Sequence, residues 1–237
     1  MARRSSKTKP SLPQQLLVEG SDDQHTVWQL CVQHALPESF EVVTPGRMVE
    51  SGGISEVFRD IPVRLRQETI RTLGIMVDAN GDPAARWSSL RDTLPSSLQA
   101  ATPLMPDPDG WVSAAVYDRG TQIRIGICLM PNDMAQGGAL EDFALQLIPS
   151  NDRLLAKARV TLTEVEQLAE ADKQRYKATH RSKALIHTWL AWQQSPGLPM
   201  GTAMKAGYLR HDAPLALTFI AWLQRLFNPA TAVPEVV

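Results

Sequence analysis

Acidic side chains recur in this sequence where apolar runs stop. Glu19 ends the run Gln15-Leu16-Leu17-Val18, and Asp23 follows four residues later. Asp78 ends the longer run Leu73 to Val77, with Asn80 and Asp82 at alternating positions beyond it. Glu141 and Asp142 fall together at the start of a third helical stretch. Carboxylates forced together repel, and each resists ionisation unless a cation neutralises the group. Oxygen ligands suit a hard divalent ion, Mg²⁺ being the usual one and Mn²⁺ its alternative. Each group alone also has an ordinary local reading. Glu19 with Asp23, and Glu141 with Asp142, suit the positive start of a helix. Asp78 to Pro83 is rich in turn formers. What favours a shared site is the conjunction of three acidic junctions after unusually apolar strands.

The elements that must position these acids are legible in outline. A first strand is expected over Gln15–Gly20, with a helix over about Gln24–Ala35 opened by Ser21-Asp22-Asp23. A second strand is expected over Phe40–Val43, then a Gly-rich stretch, Pro45 to Gly53, and a helix over Ile54–Leu65. Leu73–Ala79 is a continuous apolar run ending in an acid, the pattern of a strand buried on both faces of a parallel sheet. A helix carrying Arg86, Trp87 and Leu90 follows to about Leu94. Trp111–Tyr117 and Gln122–Leu129, joined by Asp118-Arg119-Gly120-Thr121, read as a β-hairpin. Beyond a loop at 131–138, helices are expected over Ala139–Ile148, Asp152–Ala169, Ser182–Gln193, Pro199–Gly207 and Ala213–Phe227. The predicted class is α/β: a mostly parallel central sheet flanked by helices, with a helical C-terminal portion. The predicted organisation is a flexible basic tail over 1–12, an α/β core over 13–150 and a helical portion over 151–237 packed on that core. In such a sheet the carboxyl ends of the strands converge on one crevice, where acids distant in sequence can meet.

Composition narrows the function classes. The chain has 237 residues, 43% hydrophobic and 21% charged, enough to build a core and to exclude wholesale disorder. With 24 Lys+Arg against 25 Asp+Glu, the net charge is −1, so any affinity for nucleic acid must come from a local patch. Cys31 and Cys128 are far apart with no CxxC or Cys-His spacing, which argues against a disulfide framework or structural zinc and fits a reducing, cytoplasmic compartment. No run of apolar residues is long enough to span a membrane. The start, MARRSSKTKP, leads into polar sequence and reads as a tail, not a secretory signal. Gly52-Gly53 lacks a following Gly-Lys-Ser/Thr, and no GxGxxG follows a strand, so nucleotide-hydrolysing machinery is not expected.

Leu17-Val18-Glu19-Gly20-Ser21-Asp22-Asp23, followed by Ile75-Met76-Val77-Asp78-Ala79-Asn80, resembles the Toprim domain of topoisomerases, bacterial primases, recombination-repair proteins and OLD (overcoming lysogenization defect) nucleases. The Glu19-x-x-x-Asp23 spacing and Leu140-Glu141-Asp142 look more like the OLD branch. Over about 170 residues the chain is also similar to small stand-alone bacterial OLD-like Toprim proteins. The shared features are Gly81 to Trp87, Leu129 to Asp142, and His180 to Ala184. The resemblance implies metal-dependent hydrolysis of phosphodiester bonds, of DNA in preference to RNA, in phage defence or DNA repair. It implies Glu19 and Asp78 as metal ligands and catalytic residues, with Asp23 and Glu141 next. Asp142 is a ligand or an acceptor behind the ligands, and Lys183 is a catalytic cation near the phosphate. Full-length OLD proteins carry an ATPase on the same chain; this chain is too short for one, so a separate partner would have to supply ATP-driven control. A homo-oligomer is compatible with the resemblance.

The sequence departs from the family pattern where an Asp-x-Asp is expected, because the second acid is Asn80. An amide still offers a carbonyl oxygen to a cation but removes one charge, and Asp82 could substitute if the loop bends back. Asn80 therefore motivates a rival reading, a non-catalytic Toprim module that binds nucleic acid or a partner ATPase. A basic run, Lys173, Arg175, Lys177, His180, Arg181 and Lys183, reads either as a solvated helix face or as a phosphate track, which Arg64, Arg66 and Arg71 would extend. His180 and His187 read as helix-surface residues. Trp189, Trp192 and Trp222 lie at helical spacing among apolar residues and read as core or interface anchors.

Overall fold

Thr72 to Asp78 forms the middle strand of the sheet, buried along all but its last residue, as a strand covered on both faces requires. The computed structural model describes residues 12–45, 53–118, 120–131, 137–168 and 176–229. Residues 1–11 of the expected tail, most of the Gly-rich stretch, Arg119, residues 132–136, and Lys173 and Arg175 lie outside them. Six strands, β1 (Gln14–Leu17), β2 (Glu41–Val43), β3 (Thr72–Asp78), β4 (Trp111–Val112), β5 (Val116–Asp118) and β6 (Thr121–Met130), make one sheet. Its order is β2-β1-β3-β6-β4, with β5 also on β6. The first four of these are mutually parallel, and β4 and β5 run antiparallel to β6. The helices are α1 (Ser21–Gln33), α2 (Ile54–Leu65), α3 (Pro83–Asp92), α4 (Ser96–Ala101), α5 (Leu140–Gln146), α6 (Arg153–Glu166), α7 (Arg181–Ala191), α8 (Met200–Lys205) and α9 (Pro214–Phe227). The protein is thus mixed α/β, with a mostly parallel central sheet flanked by helices and a helical C-terminal region.

The period-two alternation of β3 divides the core. Leu73, Ile75 and Val77 pack with Val57 and Ile61 of α2, Trp87 and Leu90 of α3, and Leu98 of α4. Met76, with Cys128 and Met130 of β6, joins the opposite layer, built from α1, α5 and the C-terminal helices through Val27, Phe143, Ile186, Trp222 and Leu226. Close approach of α9 depends on Gly74 and Gly126, which pair directly across β3 and β6. A Cβ on either would lie within 2.8 Å of Leu16 or 2.7 Å of Leu226, so the missing side chains make the groove that Leu226 fills. Burying a leucine there contributes about 1.5–3 kcal/mol.

The expected hairpin differs in one respect. Its first arm is broken into β4 and β5 at Ser113, which still donates its N–H to the Ile125 carbonyl at 2.8 Å while its hydroxyl, in place of its carbonyl, accepts the Ile125 N–H at 2.9 Å. The short helix α4 was not expected; it follows Pro95, whose fixed φ suits the residue before a helix. The remaining expected elements are present with ends shifted by up to three residues, the ordinary fraying of helix boundaries. No helix among the described residues is long and apolar enough to cross a membrane.

The strand order reverses at β1, which has β2 on one side and β3 on the other. In open parallel sheets, ligands bind in the crevice beyond the carboxyl ends of the strands at such a reversal. Glu19 and Asp78 stand there.

Candidate metal centre

Glu19 lies two residues beyond β1, and Asp78 is the last residue of β3. The Asp78 backbone N–H donates to Glu19 Oε1 at 2.8 Å, closing the seam between the two strand ends. Asp78 Oδ1 in turn accepts the backbone N–H of Leu140, the first residue of α5, at 2.9 Å. One carboxylate is therefore bound to the neighbouring strand, and the other to the start of a helix that arrives 62 residues later. A second tie runs alongside: Asn80 and Gly138 exchange both backbone hydrogen bonds at 2.7 Å. Asn80 adopts φ 53°, a left-handed conformation that Asn tolerates. A Cβ on Gly137 would lie 1.5 Å from the Asn80 carbonyl oxygen, so this bridge requires glycine there. The Gly137-Gly138 pair is what lets the α5 loop dock on the end of β3.

Helices α1 and α5 begin alike. Each starts after a residue without a capping side chain, Gly20 and Ala139, and each uses the Asp at its third position to hold that residue's N–H. Asp23 Oδ2 accepts from Gly20 N, and Asp142 Oδ2 accepts from Ala139 N, both at 2.9 Å. The two aspartates differ in what surrounds them. Asp23 is buried, and the negative charges of Glu19 and Glu141 act on it. Asp142 has its other oxygen, Oδ1, taken by the Ser182 hydroxyl from α7, so among the candidate ligands it ties α5 to α7. Asp82 is exposed, and its Oδ1 caps α3 by accepting Ala85 N at 2.9 Å.

Glu19, Asp23, Asp78 and Glu141 form one electrostatic group. Burial raises the proton affinity of Asp78, then the charges of Glu19, Asp23 and Glu141 add to it, carrying its pKa to about 8. Burial and the charges of Glu19 and Glu141 carry Asp23 to about 7. Burial also raises Glu19, against the opposing effects of the Asp78 N–H and the nearby Arg86 guanidinium. The topology thus places Glu19, Asp23 and Glu141 close enough for their charges to act on Asp78. It leaves Asp82 and Asp142 as helix caps and sets Asn80 as a backbone bridge.

Cations flank the group unequally. Lys183 Nζ of α7 stands 3.4 Å from Glu141 Oε1, half-exposed. Arg181 is engaged elsewhere, its Nε donating to Glu166 at 2.9 Å, and Tyr176 donates its hydroxyl to the same carboxylate at 2.6 Å. Lys177, His180 and His187 are exposed. Arg64, Arg66 and Arg71 cannot extend this basic face. Arg64 bonds the Gln15 side chain at the start of β1, and Arg71 N donates to Pro13 O at 2.7 Å, so these residues lie at the amino ends of the strands. Seven residues of β3 separate that edge from Asp78, about 20 Å. Trp189 and Trp222 are buried core residues whose indole N–H groups bond Asp152 and the Trp111 carbonyl, whereas Trp192 is partly exposed. Arg86 and Ser182 were not among the expected site residues; the signal for Arg86 is its place one turn beyond the Asp82 cap.

The donor set fits a hard divalent cation in chemistry: it is all oxygen, and burial, then neighbouring negative charge, raises the proton affinity of Asp23 and Asp78. It is not a ready-made cage. Among the described residues no three His, Cys, Asp or Glu side chains are gathered closely enough to hold an ion. The Glu19 and Asp78 oxygens named above are turned to backbone amides; their second oxygens accept no hydrogen bond from a described residue.

No curated protein and no solved structure matches the chain. A family model described as a protein of unknown function, DUF3226, matches residues 13–228. The chain belongs to the DUF3226 family.

Proposed function

We propose that this protein is a Mg²⁺- or Mn²⁺-dependent phosphodiesterase of OLD-like Toprim type, a nuclease acting on DNA in preference to RNA. The observation that carries this reading is the approach of Glu19, Asp23, Asp78 and Glu141 at the reversal point of a parallel sheet, where burial and the charges of the other three raise the proton affinity of Asp78. A bound cation would supply Lewis-acid polarisation of the phosphate and lower the pKa of a water. Glu19 and Asp78 would hold it, from strand ends fixed to each other and to α5. Asp23 and Glu141 complete the negative charge. Lys183, on the α7 side, offsets charge that develops on the phosphate oxygens. Hydrolysis forms one P–O bond to a water oxygen and breaks the P–O bond to the leaving oxygen. One water proton ends on that leaving group and the other on the phosphomonoester or in solvent. DNA repair or phage defence is the setting this chemistry suits, with a separate ATPase as the partner for ATP-driven control. The test is incubation of purified protein with supercoiled plasmid and Mg²⁺ or Mn²⁺, alone and with the products of neighbouring genes. Metal-dependent nicking supports the reading, and no cleavage under any of these conditions rejects it.

Asn80 favours one alternative. The position where the Toprim pattern has its second acid is neutral, and its peptide group is committed to the bridge with Gly138. A module that binds nucleic acid or an ATPase without cutting would fit that loss of charge. Calorimetry distinguishes the two: the module binds no divalent ion.

A further inference from the structure

The geometry points to Arg86 as the residue that receives the substrate phosphate at this site, an inference that rests on the phosphodiester reading and adds the group that would hold the polynucleotide backbone. Arg86 lies in the first half of α3, the helix that follows β3 and its acidic end. Its guanidinium carbon sits 5.8 Å from the centre of the Phe58 ring of α2, within cation–π range. That ring is itself partly buried against the core layer of Ile61, Trp87 and Leu90, so it is a fixed platform. Among the described residues Arg86 has no ion pair and no side-chain hydrogen bond. The planar fork is therefore held by a ring face while its five N–H donors remain unused by the described protein groups, the arrangement that suits bidentate contact with a phosphate.

The neighbouring cations are placed otherwise. Lys183 is paired with Glu141, Arg181 with Glu166, and Arg64 with Asp60 at the far edge of the sheet. Arg86 lies one turn into α3, whose cap Asp82 stands four residues beyond Asp78 at the carboxyl end of β3. A stacked guanidinium on the helix that follows the acidic end of β3 answers a physical need, since acids alone repel a polyanion. Lys183 approaches the acids from α7 and Arg86 from α3, so a phosphate bound between them would be met from two helices.

The experiment measures fluorescence anisotropy of a short fluorescein-labelled DNA, single-stranded and duplex, across a series of salt concentrations with Ca²⁺ present. Arg86→Ala is expected to weaken binding about tenfold and to lower the slope of log Kd against log salt by about 1, the signature of one lost phosphate contact. Arg86→Lys keeps the charge, so it should keep the slope while losing about threefold in affinity through the lost fork and stacking. Phe58→Leu should weaken binding about threefold with the slope unchanged. An Arg86→Ala protein, folded by circular dichroism, that binds with wild-type affinity and slope overturns the inference, as does a wild-type protein that binds neither DNA. If the alanine variant fails to fold, Arg86→Lys and Phe58→Leu carry the test, and wild-type affinity in both overturns it. Mn²⁺ calorimetry on the same proteins reads the metal site separately. Absence of Mn²⁺ binding rejects the nuclease reading, whereas intact Mn²⁺ binding with an unaltered DNA slope rejects Arg86 alone.

Discussion

Glu19 Oε1 accepts the backbone N–H of Asp78 at 2.8 Å, so the acid after one strand holds the end of the next. This contact fixes where both carboxylates sit and also concentrates negative charge at the reversal point of the sheet. The consequences are testable in the stability of the protein as well as in its chemistry.

Asp23 and Asp78 have folded-state pKa values of about 7 and about 8, well above the roughly 3.9 of an unfolded aspartate. The folded state therefore binds more protons than the unfolded state between about pH 4 and pH 8. Their contribution is most favourable below pH 4 and is lost as pH rises through 7 to 8. Asp78→Asn retains an oxygen for Leu140 N–H and removes the repulsion. In EDTA at pH 8 it should be more stable than wild type by on the order of 1–3 kcal/mol, and the gain should vanish by pH 4. Denaturant unfolding at the two pH values checks this; equal effects at both would contradict it.

Asp82 and Asp142 are caps by geometry. Asp82→Ala and Asp142→Ala should each cost about 1 kcal/mol of stability, within the range for lost helix caps. Asp82→Ala should leave Mn²⁺ affinity and cleavage at wild-type levels. Thermal unfolding beside calorimetry separates the two effects. A large loss of metal affinity in Asp82→Ala would place that carboxylate in the site.

Asn80 tolerates its φ of 53°, and Asp accepts the same backbone conformation. Asn80→Asp should fold normally, tighten Mg²⁺ binding several-fold and raise cleavage by restoring one charge beside the acids. Titration calorimetry and plasmid nicking measure this, and an unchanged affinity would show that position 80 serves only as the bridge to Gly138.

The pairing of Gly126 with Gly74 predicts a packing defect. Gly126→Ala drives a methyl to 2.7 Å from Leu226 and should cost about 1–3 kcal/mol. Combined with Leu226→Ala, part of that cost should be recovered, giving a non-additive double-mutant cycle by denaturant unfolding.

Much of this architecture is readable from residues. The run Leu73 to Val77 announces a doubly covered strand, and Ile54–Leu65 is helical over the full predicted span. What escapes reading is where a polar side chain spends its hydrogen bonds. Ser113 reads as a strand residue and keeps its N–H bond to the Ile125 carbonyl, but its hydroxyl takes the Ile125 N–H in place of its own carbonyl, where the regular pairing ends. Asp23 and Asp142 occupy the same place in their helices, and only tertiary packing makes one a buried member of the acidic group and the other a tie to Ser182. Arg64, Arg66 and Arg71 look like neighbours of the basic run, but a helix crossing over a parallel sheet returns the chain to the opposite edge. Arg86 belongs to the Gly81 to Trp87 stretch, but its contact with the Phe58 ring of α2 is visible only in the fold.

The most direct measurement of the central claim is Mn²⁺ titration calorimetry at pH 8 on wild type, Glu19→Gln, Asp78→Asn and Glu141→Gln. The shared-site account predicts binding by wild type and at least about a tenfold loss in each variant, with folding intact, since each removes a charged oxygen ligand. Wild type without Mn²⁺ binding, or variants that bind as tightly as wild type, would contradict it.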